Sequence, residues 1–339
     1  MTLDILQATF FGFVGLFFAV YTVLDGFDFG VGILFPFVGR SQQGKQALMR
    51  SLAPLWDGNE VWLIGGVTAL TAAFPAVYAT VFSGFYLVII FTVLALILRA
   101  VTFEFWSPFG TYRPFWDLTF VVGSLLPPLL LGIGLGNAIQ GVPLDAGGEY
   151  AGDFLTLFRP FPVMVGIFGV LIVAMQGASY AVMKTTGNVQ ERARKALRLL
   201  RFAFPALLAI LAVLTYVYVP GAFARPVAWV GIALAVAFWA AMLVPRLASD
   251  DRITFFASSA MTGSLWTVAG AVLFPNLVTA SNDAVNSLTI YNASGPEVTM
   301  WTMLVVTVVG LPFIIAYTVY VYRVFKGKVT TGLATLKAG

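Results

Sequence analysis

An all-α integral membrane protein is the fold class that this sequence predicts, and three observations predict it. Sixty per cent of the 339 residues are apolar and only 10% are charged, against roughly a quarter charged in a soluble domain. Such a chain lacks the polar residues to cover its surface in water. The apolar residues fall into nine stretches of about 20 residues, the length that crosses a hydrocarbon core of about 30 Å. The lysines and arginines between them alternate from side to side, as the positive-inside rule requires.

The nine stretches run roughly over 6–37, 51–73, 78–101, 117–138, 160–183, 202–220, 226–245, 253–278 and 299–323. The first is long enough to tilt or to overrun the bilayer. It lacks a basic n-region and leads into Asp25 and Asp28 rather than a small-residue cleavage site, so it reads as a span and not as a cleaved leader. The second carries Asp57 and Glu60, and the third ends at Arg99, with Glu104 just beyond. Pro127 and Pro128 inside the fourth predict a kink whose freed carbonyls neighbouring helices must satisfy. A polar, acidic connection at 139–159 follows it, and a second lies at 279–298 before the ninth stretch. The segment 184–201 is read as a basic loop that separates a first group of four spans from a second group of four.

Placing the first connection in the cytoplasm puts 16 of the 19 lysines and arginines inside, namely Arg40, Lys45, Arg50, Arg113, Lys184, Arg192, Arg194, Lys195, Arg198, Arg201, Arg246, Arg252, Arg323, Lys326, Lys328 and Lys337. Only Arg159 and Arg225 fall outside. The expected topology therefore has the N-terminus outside, the C-terminus inside, two four-helix bundles and one peripheral helix. Residues 1–185 hold the first bundle and the start of the second, and residues 186–339 hold the rest. The net charge of +4 follows from this topology and is no signal for nucleic acid.

Histidine and cysteine are both absent. The chain thus lacks the commonest ligands of haem, copper, zinc and non-haem iron, and a Ser-His or Cys-His catalytic pair is excluded. Haem ligation by Met or Tyr alone is uncommon, so no catalytic or metal-ligating residue is expected in it and any redox metal is expected in a partner.

The candidate functional residues are the charges inside spans, each costing about 2.5–3.5 kcal/mol at the bilayer centre even on a lenient scale. In Leu24-Asp25-Gly26-Phe27-Asp28-Phe29-Gly30, the two acids are three apart and share a helical face. Gly26 and Gly30 form a small-xxx-small pair that lets another helix approach. In Trp56-Asp57-Gly58-Asn59-Glu60-Val61-Trp62 the acids again lie three apart, between two tryptophans. Counting about 1.5 Å per residue puts Asp28 roughly 13 Å, and Asp57 roughly 9–13 Å, from the inner ends of their helices. Asp25, Asp28, Asp57, Glu60 and Arg99 are expected to gather in the inner half of the first bundle. The competing reading is structural: Asp25 or Asp28 pairs with Arg99, Asp57 sits at a helix start, Glu60 snorkels, and Trp56 and Trp62 pack at an interface.

LDGFDFGVG at 24–32 and APLWDGNEVWL at 53–63 resemble the signature stretches of cytochrome bd ubiquinol oxidase subunit II. FSGFYLVII at 82–90, Arg99 followed by FEF, GSLLPPLLLGIGLGNAIQGVP at 123–143 and MQGASYAVMKT at 175–185 extend the resemblance, which weakens to FPNLV at 274–278 and SLTIYNAS at 287–294. It implies a haem-free subunit paired with a subunit I that carries two b-type haems, haem d and the quinol site, often with a small single-span subunit. Such a complex oxidises quinol and reduces O2 to water in the bacterial cytoplasmic membrane, drawing protons from the inside. It also implies a proton path through Asp57 first, then Asp25 and Asp28, with Glu60 alongside, and a quinone held as a structural lipid. Glu60 stands where relatives often carry Gln, so its charge is not expected to be essential, and Asn292 stands where some carry Asp. The alternative is a secondary transporter, which intramembrane acids and Gly-broken helices also fit. All the strong acid pairs lie in the first half, which counts against it.

Overall fold

The computed structural model describes residues 2–329, so Lys337 lies outside the described residues. The described residues form twelve α-helices: α1 (Leu3–Val38), α2 (Gln42–Leu52), α3 (Trp56–Ala73), α4 (Pro75–Gly84), α5 (Tyr86–Phe105), α6 (Arg113–Gln140), α7 (Pro160–Lys184), α8 (Gly187–Tyr218), α9 (Pro226–Ala241), α10 (Pro245–Ala248), α11 (Asp251–Leu273) and α12 (Glu297–Val324). Seven of them, α1, α5, α6, α7, α8, α11 and α12, are long and apolar enough to cross a membrane. The 16 residues of α9 reach only about 24 Å.

Four sequence expectations change. The stretch at 51–73 is two helices: α2 is a separate helix capped by Ser41, whose hydroxyl accepts from Gly44 N at 3.1 Å, and α3 starts only at Trp56. The stretch at 78–101 breaks at Phe85, and α4 turns 117° away from α3 at Pro75, whose missing N–H suits the first position of a new helix. The basic segment 184–201 is not a long loop: Lys184 ends α7, and from Gly187 onward the segment forms the first turns of α8. Its Gln, Glu, Arg, Ala and Leu residues all favour helix, and Glu191 pairs with Lys195 one turn on at 2.7 Å. Finally, α11 stops at Leu273, and 276–278 is strand β1 (Asn276–Val278), antiparallel to β2 (Leu288–Thr289). The adjacent prolines do not end α6, which runs through both.

α1 is the central element, packed on α3, α6, α7 and α11. Gly30 and Gly177 set its closest approach to α7: a Cβ on Gly30 would overlap Val173 O, and one on Gly177 would overlap the Gly30 backbone. α12 lies at the periphery against α3, with Met300 its one buried residue.

The two ends of the helix array differ. At one end, here the basic end, α2, the start of α8 and residues 325–329 converge. Lys184 Nζ donates to Phe325 O, Val329 N donates to Lys184 O at 2.7 Å, and Asp251 accepts from Arg194 at 2.5 Å and Lys328 at 2.8 Å. At the other end, residues 141–159 and 274–295 form a polar lobe. Asn282 Nδ2 and Asn286 Nδ2 both donate to Leu144 O, at 2.7 and 3.0 Å. Gly295 N donates to Ala73 O at 2.9 Å and Thr80 Oγ1 to Gly148 O at 2.8 Å, so the lobe holds the α3–α4 bend. Asn292 closes a lobe turn, accepting from Thr289 N at 2.7 Å. Asp153 Oδ1 accepts from Thr156 Oγ1 and N at 2.7 and 2.8 Å, and these bonds hold its carboxyl below the usual range.

Candidate functional site

Between two apolar cores lies a charged cluster built by α1, α3 and α5. On its basic side Phe27, Val31, Phe35, Leu52, Leu55 and Phe120 are buried together. On its lobe side Phe10, Val14, Phe17, Trp62, Val88 and Leu130 are buried together. The cluster therefore lies between these two apolar groups.

Arg99 on α5 is fully buried, as are Asp25 and Asp28 on α1. Arg99 Nη2 donates to Asp25 Oδ1 at 2.7 Å and to Glu60 Oε1 on α3 at 2.6 Å, and its guanidinium sits 4.2 Å over the Phe29 ring. Paired charges of this kind offset their desolvation only with good geometry, which the shared donor and the ring face supply. Asp28 takes a different partner: its Oδ2 accepts from Asn59 Nδ2 at 2.8 Å. Asn59 also donates to Leu24 O at 3.3 Å and accepts from Tyr322 OH at 2.9 Å.

The cluster opens sideways. Glu60 keeps 23% of its side chain exposed, and Asp57, one turn before it, is exposed. Contrary to the depth expected from sequence, Asp57 lies in the first turn of α3, because that helix begins at Trp56; a carboxylate there suits the helix N-terminus. Asp57 is not drawn into the buried cluster, and Glu104 is exposed on α5. Trp56 stacks on Phe103 at 5.0 Å, while Trp62 is buried against Phe17 at 5.8 Å.

Asn59, Tyr322, Tyr21 and Phe29 belong to the site and were not singled out from sequence. Asn59 sits inside the quoted motif, between the two acids. Tyr322 lies 263 residues further on and carried no signal. Several buried polar atoms have no hydrogen-bond partner among the described residues: Asp25 Oδ2, Asp28 Oδ1, Arg99 Nε and Nη1, Tyr21 OH and Trp62 Nε1. Donors and acceptors together at such a spot suit bridging water. Two carboxyls, Asp25 and Glu60, share one guanidinium, so a proton can be taken up on one of them while Arg99 stays paired with the other.

The chain has no histidine or cysteine, and among the described residues no three acids are grouped to hold a metal ion.

The family model for cytochrome bd terminal oxidase subunit II matches residues 6–325. The chain is 30% identical over 363 residues to the cytochrome bd-I ubiquinol oxidase subunit 2 of Escherichia coli strain K12, covering 96% of each. It is 32% identical over 329 residues to the cytochrome bd ubiquinol oxidase subunit 2 of Bacillus subtilis strain 168, covering 94% of each. Its fold is similar to a chain in the structure of bd oxidase from Geobacillus thermodenitrificans, with a TM-score of 0.79 at 20% identity over 94% of this chain and 98% of that one.

Proposed function

Since the chain belongs to the cytochrome bd terminal oxidase subunit II family, and so is a multi-pass membrane subunit of a quinol oxidase complex, we propose that its acid cluster takes up protons from the cytoplasm for the partner subunit. Membership in this family leaves the transporter reading without support.

In this reading nine segments cross the membrane, the seven long helices together with α3 and α9. The first bundle comprises α1, α3, α5 and α6, the second α7, α8, α9 and α11, and α12 is peripheral. The basic end faces the cytoplasm and the polar lobe faces outside. Subunit I holds the b haems and haem d, which supply oxygen reduction; quinol and a small single-span subunit complete the assembly. This chain's part is to hold and move protons.

One observation carries the proposal: exposed Asp57 lies one helical turn before half-buried Glu60, and Glu60 is joined through fully buried Arg99 to fully buried Asp25, with buried Asp28 three residues on. Protons entering near Asp57 would then pass inward to these acids. Asp25 and Glu60 hold Arg99 in place, whereas Asp28 is free of that duty and is the better proton carrier.

The test is quinol oxidation by the purified complex with haem content measured alongside. Asp57→Asn and Asp28→Asn are expected to slow turnover on the order of tenfold, equivalent to about 1.4 kcal/mol of barrier, at unchanged haem content. Wild-type turnover in an assembled Asp57→Asn complex would remove the proton role from Asp57.

A further inference from the structure

α12 is sparsely held, with Met300 as its one buried residue, yet it makes a specific polar connection to the acid cluster. Tyr322 OH donates to Asn59 Oδ1 at 2.9 Å. The Asn59 amide nitrogen in turn donates to Asp28 Oδ2 at 2.8 Å and to Leu24 O at 3.3 Å. A primary amide has one accepting and one donating end. Reversing it would set Oδ1 against both Asp28 and the Leu24 carbonyl, three acceptors with no hydrogen between them unless Asp28 held a proton. The tyrosine ring is itself braced edge-on against Phe27, with centroids 6.4 Å apart.

We propose that Tyr322 is a positioning residue for the proton site: by occupying Asn59 Oδ1 it keeps the amide nitrogen on Asp28, so that Asp28 is correctly held only while α12 is docked. The proposal rests on the proton-uptake reading and goes beyond it, since it gives the peripheral helix a role in the proton site. Asn59 is the intermediary, so the influence of Tyr322 must vanish when Asn59 cannot transmit it.

The experiment uses the purified oxidase complex carrying Tyr322→Phe, Asn59→Leu, both together, Asp28→Asn and, as a control, Tyr317→Phe, whose side chain is 56% exposed on the same helix. Tyr322→Phe removes one hydroxyl and keeps the ring. Turnover is expected to fall about three- to tenfold, the range of one lost hydrogen bond, with the quinol KM unchanged. Adding Tyr322→Phe to Asn59→Leu is expected to change neither turnover nor Tm further, the mark of a coupled pair. The infrared carboxyl band that disappears in Asp28→Asn is expected to shift in Tyr322→Phe and not in Tyr317→Phe.

An unmoved Asp28 band in Tyr322→Phe overturns the proposal, as do Tyr322 and Asn59 effects that add independently. Wild-type turnover in Asp28→Asn would instead sink the proton role of Asp28; the positioning claim then stands or falls on the infrared shift and the Tm coupling alone.

Discussion

Arg99→Leu is the substitution whose consequence the geometry specifies most fully. The guanidinium is entirely buried and bonds one fully buried acid, Asp25, at 2.7 Å and one half-buried acid, Glu60, at 2.6 Å. Removing one member of a buried ion pair costs about 3–5 kcal/mol, because the other charge is stranded without water or partner. Glu60 is not fully enclosed within the chain and is less tightly confined than Asp25. Asp25 therefore sets the magnitude. A loss of about 3–5 kcal/mol lowers the folded-to-unfolded ratio by a factor on the order of 100 or more. Thermal unfolding and yield of the purified complex measure it. The informative comparison is Arg99→Leu with Asp25→Leu, which removes both members of the fully buried pair and is expected to recover most of the loss, since apolar replacements of a buried pair are often neutral. An Arg99→Leu complex as stable as wild type, or a double variant weaker than the single, would refute the reasoning.

Two further predictions concern the scaffold. Gly30→Ala places a methyl group into Val173 O and the Gly177 backbone, so α1 and α7 must separate; a loss of about 1–3 kcal/mol, typical of overpacking, is expected in thermal unfolding. Asp153 is a carboxyl whose folded value is depressed by Thr156, so its support for the lobe is present above the ordinary aspartate value of about 3.9 and fades as pH falls through the lower folded value. Proteolysis of segment 141–159 is therefore expected to be faster in Asp153→Asn than in wild type at neutral pH, with the difference closing in strong acid. Equal cleavage at neutral pH would contradict the bonding drawn for Thr156.

Much of the site was legible because its signals are local. The three-residue spacing of Asp25 and Asp28 predicted one shared helical face, and both are buried on α1. Gly30 marked the place where another helix could approach closely, and α7 occupies it. Arg99 was the one base in reach of the acids, and it pairs with Asp25 and Glu60. Other expectations failed because they assumed that apolar runs equal helices. α3 begins five residues later than its apolar run, which puts Asp57 in the first turn of the helix rather than well inside it. The α3–α4 bend depends on the lobe bonds at Ala73 and Gly148, made by segments far along the chain.

The sequence alone thus determined the solvent, through the 10% of charged residues, and it determined which few polar groups must be buried at a cost. Tertiary structure alone decided how those groups are partnered. Asp25 and Asp28 carry the same side chain on the same helix, yet one meets Arg99 across 74 residues and the other meets Asn59, which Tyr322 reaches across 263. Composition and periodicity record each helix's own faces, while partner choice depends on the rotation and depth at which separate helices lock together, and that is set by packing at contacts such as Gly30 against Gly177.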